Sequence, residues 1–245
     1  MTPPRFLLDS LPEGDEVVLD GDEGRHAARV KRLGAGEAVL LADGRGGLIH
    51  GEVAAVAGDS LRVTVLRREA VPAPRPRLVV VQALPKGDRA ELAVETMTEL
   101  GVDEIVPWAA SRSIVQWHGA RGERAREKWQ RAAHEAAKQS RRAWLPVVAP
   151  LASTADVARR AAGALVLHED ATEPLAGADL DAGAAAGSGE VMVVVGPEGG
   201  IAPDELAAFA GAGARTVRLG GPVLRTSTAG AAALAVLSVR VGRWT

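Results

Sequence analysis

The chain has 245 residues, 47% hydrophobic and 24% charged, a balance that fits a folded globular protein with room for two domains. It has no cysteine, which excludes disulfides and thiolate metal sites, and its five histidines lack ligand spacing, so no metal is expected. The formal net charge of −2 excludes a uniformly basic nucleic-acid binder, and no apolar run reaches the length of a membrane span.

The first 15 residues carry prolines and acids rather than an apolar leader core, so a cytoplasmic location is expected. Residues 1–71 are β-rich. Glu16–Leu19, Ala38–Leu41, Gly47–Val53 and Ser60–Leu66 are short apolar or alternating runs. Asp43-Gly44, Gly46-Gly47 and Gly58-Asp59 separate them, which is hairpin chemistry. A short helix is expected over Asp22–Arg32, and the whole reads as a small barrel. Residues 72–77, in the proline-rich stretch Val71-Pro-Ala-Pro-Arg-Pro76, are a stiff linker and the expected domain boundary.

From residue 78 to 245, strands alternate with helices. Strands are expected at Leu78–Ala83, Asp103–Pro107, Ala164–His168, Glu190–Val195 and Arg215–Leu219. Helices are expected at Arg89–Leu100, Gly122–Arg142, Pro203–Gly211 and Thr228–Val241, with Gly101 a C-terminal stop and Pro203 near an N-terminus. That alternation predicts an α/β domain with a largely parallel sheet. The Ala/Gly/Asp-rich stretch Ala171–Ser188 reads as a surface loop.

Two strings dominate the C-terminal third. Val191–Val195 runs into Gly196-Pro197-Glu198-Gly199-Gly200, and Leu219-Gly220-Gly221-Pro222-Val223-Leu224-Arg225-Thr226 follows. Each reads as a buried strand, a glycine/proline loop and then a helix. Glycine lets main-chain N–H and C=O groups approach a flat ligand, so the two loops suggest one composite pocket. The pocket is not a dinucleotide site, because Pro197 and Glu198 break the Gly-x-Gly-x-x-Gly spacing, and no phosphate-cradling Gly-Lys-Ser/Thr loop exists. Glu198 favours a neutral or cationic ligand. Residues 112–142 carry nine Lys/Arg against three acids, a concentration that suits a polyanion or a solvated helix face equally.

These strings, with Lys86-Gly-Asp-Arg89, Glu99-Leu-Gly-Val102, Ser111-Arg-Ser113 and Glu135–Arg142, resemble the SPOUT superfamily of S-adenosylmethionine-dependent RNA methyltransferases. More narrowly the chain resembles the uridine-N3 methyltransferases of 16S ribosomal RNA. His26-x-x-Arg-Val-Lys-Arg32 and Leu41-Ala-Asp-Gly-Arg-Gly46 are similar to that family's PUA-like RNA-binding barrel. One departure is Ser227, where many members carry Glu. The resemblance implies a PUA-like β-barrel followed by a SPOUT α/β domain with a deep trefoil knot. It also implies a homodimer and S-adenosylmethionine bound in the knot.

On that resemblance, the cofactor would lie against Leu167, His168 and Glu169, the Gly196, Pro197, Glu198, Gly199 and Gly200 loop, and Leu219, Gly220, Leu224 and Thr226. Leu219 and Leu224 would sandwich the adenine, unless they are ordinary core residues. Arg225 is the catalytic candidate, stabilising the uracil anion; its alternative is a salt bridge to Glu198. The expected RNA contacts are Arg5, Arg29, Lys31 and Arg32 in the barrel, and Lys86, Arg89, Arg112, Arg141 and Arg142 in the second domain. Trp108 and Trp117 are candidates to stack a flipped base, whereas Trp129 and Trp144 are expected in the core. The implied partner is 16S ribosomal RNA or the small subunit. Methylation of a ribose 2′-hydroxyl or a tRNA base, and a non-catalytic ribosome-assembly role, stay open.

Overall fold

Leu78–Val81 and Val191–Val195 are apolar at consecutive positions, a pattern stable only in strands covered on both faces, as parallel sheets are. A computed structural model, which describes residues 2–87, 89–180 and 189–244, places them at the centre of such a sheet. Asp88 of the Lys86–Arg89 string and residues 181–188 of the expected surface loop lie outside the described residues. The chain divides into two compact units. Unit 1 comprises the residues through Ala73 with Lys138–Leu145, and unit 2 comprises Pro74–Ala137 with Pro146 onward.

Unit 1 contains β1 (Arg5–Leu7), β2 (Glu16–Leu19), β3 (Ala38–Ala42), β4 (Gly47–Ala57) and β5 (Ser60–Ala70) in one sheet of order β1-β3-β4-β5-β2. The sheet wraps Phe6, Leu19, Leu41, Ile49 and Leu61, all fully buried. β1 was not anticipated; it pairs parallel to β3, an arrangement only tertiary contact creates. The expected 22–32 helix is a single α-turn, α1 (Gly21–Arg25), followed by a π-helical turn over His26–Val30 with Lys31 N–H donating to the His26 carbonyl at 2.9 Å. The wider turn ends at Arg32 in the left-handed region, φ 54°.

Residues 138–145, read from the sequence as part of the C-terminal domain, belong to unit 1. The Gly46 N–H donates to the Ala143 carbonyl at 3.0 Å, the Leu145 N–H to the Gly44 carbonyl at 2.9 Å, and the Trp144 indole to the Val71 carbonyl at 2.9 Å. These bonds compete with helical ones. The helix expected to reach Arg142 therefore ends at Gln139, and Arg141 turns left-handed at φ 59°.

Unit 2 is built on six strands: β6 (Arg77–Ala83), β7 (Glu104–Trp108), β8 (Val147–Val148), β9 (Leu165–Leu167), β10 (Glu190–Val195) and β11 (Arg215–Val217). Their order is β11-β9-β10-β6-β7-β8, and each pair is parallel. Its helices among the described residues are α2 (Arg89–Glu99), most of α3 (Gly119–Gln139), α4 (Thr154–Ala158), α5 (Pro203–Gly211) and α6 (Thr226–Arg240).

Alternate strand residues enter two cores. Val80, Val193 and Val195 meet Met97, Trp129, Ala133 and Leu234 on one face, while Val81, Met192 and Val194 meet Val157 and Phe209 on the other. Gly230 sets how closely α6 approaches: a Cβ there would stand 2.7 Å from the Met97 sulfur. Trp108 is fully buried with its ring edge-on to Phe209 at 5.2 Å, so it cannot stack a flipped base. Trp117 packs edge-on against Trp129 at 5.0 Å.

At the amino ends of these strands, Glu104 is bridged by Arg77 at 3.0 Å and Arg160 at 2.7 Å, and Glu190 by Arg160 at 3.3 Å. Burial alone would raise the Glu104 carboxyl; the two guanidiniums outweigh it and hold the group below its ordinary value. No helix of the described residues is long and apolar enough to cross a membrane.

Candidate functional site

Because every strand pair in unit 2 is parallel, all carboxyl ends lie along one edge. β11, β9, β10 and β6 are consecutive neighbours, so the segments that follow them leave the sheet side by side. These are 218–225, 168–171, 196–200 and the turn after Ala83. The three segments singled out in the sequence thus share one edge, the position where open α/β sheets bind ligands.

The 196–200 loop is a tight turn. The Gly200 N–H donates to the Pro197 carbonyl at 2.9 Å, and Gly200 has φ +74°, which suits glycine. Gly196 follows β10 with no room beside it: a Cβ would stand 2.6 Å from Cγ1 of Ile201. Glu198 is exposed, and its Oε1 accepts from the Lys86 main-chain N–H at 3.2 Å, tying this loop to the turn after β6. An Arg112 guanidinium nitrogen donates to the Gly199 carbonyl at 3.2 Å. That contact gives Arg112 a loop-shaping position that the sequence reading, which assigned it to RNA, did not foresee.

Behind Arg112 sits a buried carboxylate the sequence reading missed. Glu205 in the first turn of α5 accepts from the Ser111 N–H at 2.9 Å, the Thr154 hydroxyl at 2.9 Å and the Ala202 N–H at 3.1 Å. The Trp108 indole in turn donates to Thr154 at 3.2 Å. One side chain thus fastens the segment carrying Arg112 to α4 and α5. Its sequence signal was a Glu three residues after the N-cap, which reads as an ordinary helix cap.

The 218–226 segment is anchored from below. Gln82, fully buried on β6, donates through Nε2 to the Thr226 carbonyl at 3.3 Å and the Ala83 carbonyl at 3.0 Å. A lone amide in the run Val79-Val80-Val81-Gln82-Ala83 was the available sign. Thr226, expected in the loop, is the buried first residue of α6. Leu219 packs partly against the core, while Val223 is 72% and Leu224 38% exposed.

Arg225 occupies the N-cap position with its side chain exposed, and its carbonyl accepts from the N–H groups of Thr228 and Ala229. Among the described residues it forms no ion pair, and Glu198 has taken the Lys86 N–H instead. His168 shapes its own turn. Its N–H donates to the Val217 carbonyl at 3.0 Å and its Nδ1 accepts from the Asp170 N–H at 3.2 Å, which places the neutral ring's proton on Nε2. Leu167 ends β9, and Glu169 beside it is exposed.

The remaining cations fall in separate units. In unit 2, Arg89 opens α2, and both it and Lys86 are exposed. In unit 1, Lys31, Arg32 and Arg141 are exposed, Arg5 and Arg142 are part-buried, and Arg29 is held by Asp59 at 2.6 Å. No cluster of three or more His, Cys, Asp or Glu among the described residues could hold a metal.

The donor set fits S-adenosylmethionine. Main-chain amides and carbonyls, with the apolar Leu219 and Leu224, suit adenine and ribose, while carbonyls and a carboxylate suit a sulfonium rather than a phosphate. Fold and edge together define a parallel-sheet α/β unit with a ligand site at its carboxyl edge, beside a five-stranded β unit. Residues 72–238 match the RNA methyltransferase domain family, and residues 19–66 match the RNA methyltransferase PUA domain family. The chain is 50% identical to ribosomal RNA small subunit methyltransferase E of Mycobacterium bovis, over 98% of this chain and 92% of that protein. It is 28% identical to the protein of that name from Bacillus subtilis, over 93% and 91%. The structure of ribosomal RNA small subunit methyltransferase E from Neisseria gonorrhoeae bound to S-adenosyl methionine superimposes with a TM-score of 0.85 at 27% identity, covering 98% of each chain. The chain belongs to the ribosomal RNA small subunit methyltransferase E family.

Proposed function

We propose that this protein methylates N3 of a uridine in 16S ribosomal RNA, with S-adenosylmethionine as methyl donor. The observation that carries the reading is the meeting of the 168–171, 196–200 and 218–225 segments at adjacent strand ends, in a chain whose structural relative holds that cofactor. When bound, S-adenosylmethionine supplies an electrophilic methyl group to an in-line nucleophile.

The protein's own contribution is position and charge. Leu219 and Leu224 flank the adenine, and the Gly196–Gly200 main chain meets the ribose and methionine parts. Uracil N3 carries a proton that must leave before its lone pair can attack. Arg225, exposed and without an ion pair among the described residues, stabilises the resulting imide anion, and the proton passes to water. The Nδ1 of His168 already accepts a main-chain bond, so that ring nitrogen is not the base. Exposed Val223 and Leu224 support a homodimer that covers this edge, and the deep trefoil knot is part of the same proposal. The site of action would be the cytoplasm.

The test is nucleoside mass spectrometry of 16S ribosomal RNA from cells with and without the gene. Loss of 3-methyluridine is expected. Unchanged 3-methyluridine, or loss of a 2′-O-methyl nucleoside or a tRNA base instead, overturns the N3 assignment.

A further inference from the structure

The stretch Leu78–Leu84 holds a single polar side chain, Gln82, and that side chain is fully buried. A buried amide in such a run departs from what packing alone selects, because methionine fills a similar volume without hydrogen-bonding demands. Gln82 is also only half satisfied. Its Nε2 donates to the Ala83 and Thr226 carbonyls, whereas its Oε1 is buried with no hydrogen-bond partner. The orientation is fixed, since exchanging the two ends would set an oxygen against two carbonyl oxygens. The donor half is in use, and the acceptor half is a loss of stability.

The position of Gln82 explains why such a residue is kept. It is the penultimate residue of β6, in register with Val195, from which the 196–200 loop leaves the sheet. On its face of the sheet α6 comes so close that a Cβ on Gly230 would stand 3.3 Å from Oε1. The Nε2 therefore ties the first turn of α6 to the carboxyl end of β6. Thr226, whose carbonyl takes that bond, directly follows Arg225. The Arg225 side chain makes no capping hydrogen bond, so only its backbone is held in place.

We propose that Gln82 is a positioning residue for methyl transfer. Through the Thr226 carbonyl it sets the level of the α6 N-terminus, and so the point from which the Arg225 guanidinium reaches the substrate. This role rests on the reading above, in which Arg225 stabilises the uracil anion, and adds the buried group that aims it. Gln82 itself touches no substrate. A shift of about 1 Å in a group that stabilises a transition state can slow a reaction about 100-fold. Losing one of several contacts that seat α6 should have a smaller effect.

The experiment follows methyl transfer from radiolabelled S-adenosylmethionine to small ribosomal subunits purified from cells lacking the gene. It compares full-length wild type, Gln82→Met, Arg225→Ala and the double variant, with both substrates saturating. Gln82→Met should turn over about tenfold more slowly, with KM for the subunit unchanged. It should also melt within about 4 °C of wild type, because removing an unpartnered buried oxygen offsets the loss of two neutral hydrogen bonds. The double variant should be no slower than Arg225→Ala, about 100-fold below wild type, because no guanidinium is left to aim.

Wild-type turnover in Gln82→Met beside a slow Arg225→Ala overturns the positioning role and leaves the reading of Arg225 intact. Multiplied losses in the double variant, to about 1000-fold, overturn the role as well. Wild-type turnover in Arg225→Ala overturns the reading of Arg225 itself, and the role of Gln82 with it. A second variant guards against a folding defect in the first. Gln82→Asn keeps the amide but shortens its reach by a methylene, and it should be as slow as Gln82→Met. Full activity in Gln82→Asn overturns the proposal.

Discussion

The two edges of the six-stranded sheet are made of the same strands and behave oppositely. At the amino edge, Arg77, Glu104, Arg160 and Glu190 neutralise one another, and the Asp103 carboxylate accepts from the Leu78 N–H at 2.8 Å and from Arg243. At the carboxyl edge, the charged groups of the loops bond to main chain, Glu198 to the Lys86 N–H and Arg112 to the Gly199 carbonyl, while residues 220–225 stay exposed and Arg225 is unpaired among the described residues. A paired edge supports stability; an edge of exposed turns supports ligand exchange. Stability and function are therefore separable by mutation here.

The largest break should come at the amino edge. Glu104→Ala leaves Arg77 and Arg160 sharing Glu190 as their remaining carboxylate and should cost about 2 kcal/mol, read as a lower melting temperature, with S-adenosylmethionine affinity per folded molecule unchanged. Parallel loss of cofactor affinity would show the edges are coupled. At the other edge, Arg225→Ala should leave stability and cofactor affinity near wild type and lower turnover about 100-fold. Full turnover in that variant would return Arg225 to a helix-capping role alone.

Gly196→Val must displace Ile201 and with it the loop, a cost of about 1–3 kcal/mol. Titration should show cofactor affinity falling about ten- to hundredfold; wild-type affinity would remove this loop from the site. Glu205→Gln should be milder, about 1 kcal/mol, loosening the Ser111–Arg112 segment and raising the cofactor dissociation constant a few-fold. An unchanged constant would limit Glu205 to α5 packing.

The smallest effect is a pH dependence. The Glu104 carboxyl is held below its ordinary value, so the stability it contributes is present above the ordinary carboxylate range and is lost as pH falls through the lowered one. Melting temperature should therefore drop on acidification in wild type and drop less in Glu104→Gln.

Much of unit 2 was legible in the sequence, because consecutive apolar residues allow little besides a doubly covered strand. The strand Glu190–Val195 and the helix Pro203–Gly211 have the boundaries expected of them. Unit 1 was harder. The three residues of β1 carry too short a pattern to read, and its parallel partner is over 30 residues away in sequence. The 22–32 stretch has helical spacing in its sequence, but after one α-turn it widens into a π-turn, which rotates the later positions off the buried face and leaves Val30 66% exposed.

Amino-acid order alone determined the α/β class of the second unit, the glycine loops that end its strands and the number of its cations. Tertiary structure decided which of those cations are already engaged. Arg112 turned inward to a carbonyl, and Arg29 found Asp59. Composition records how many charges a chain carries; only the fold brings together residues as distant as 29 and 59, and proximity determines which charges cancel.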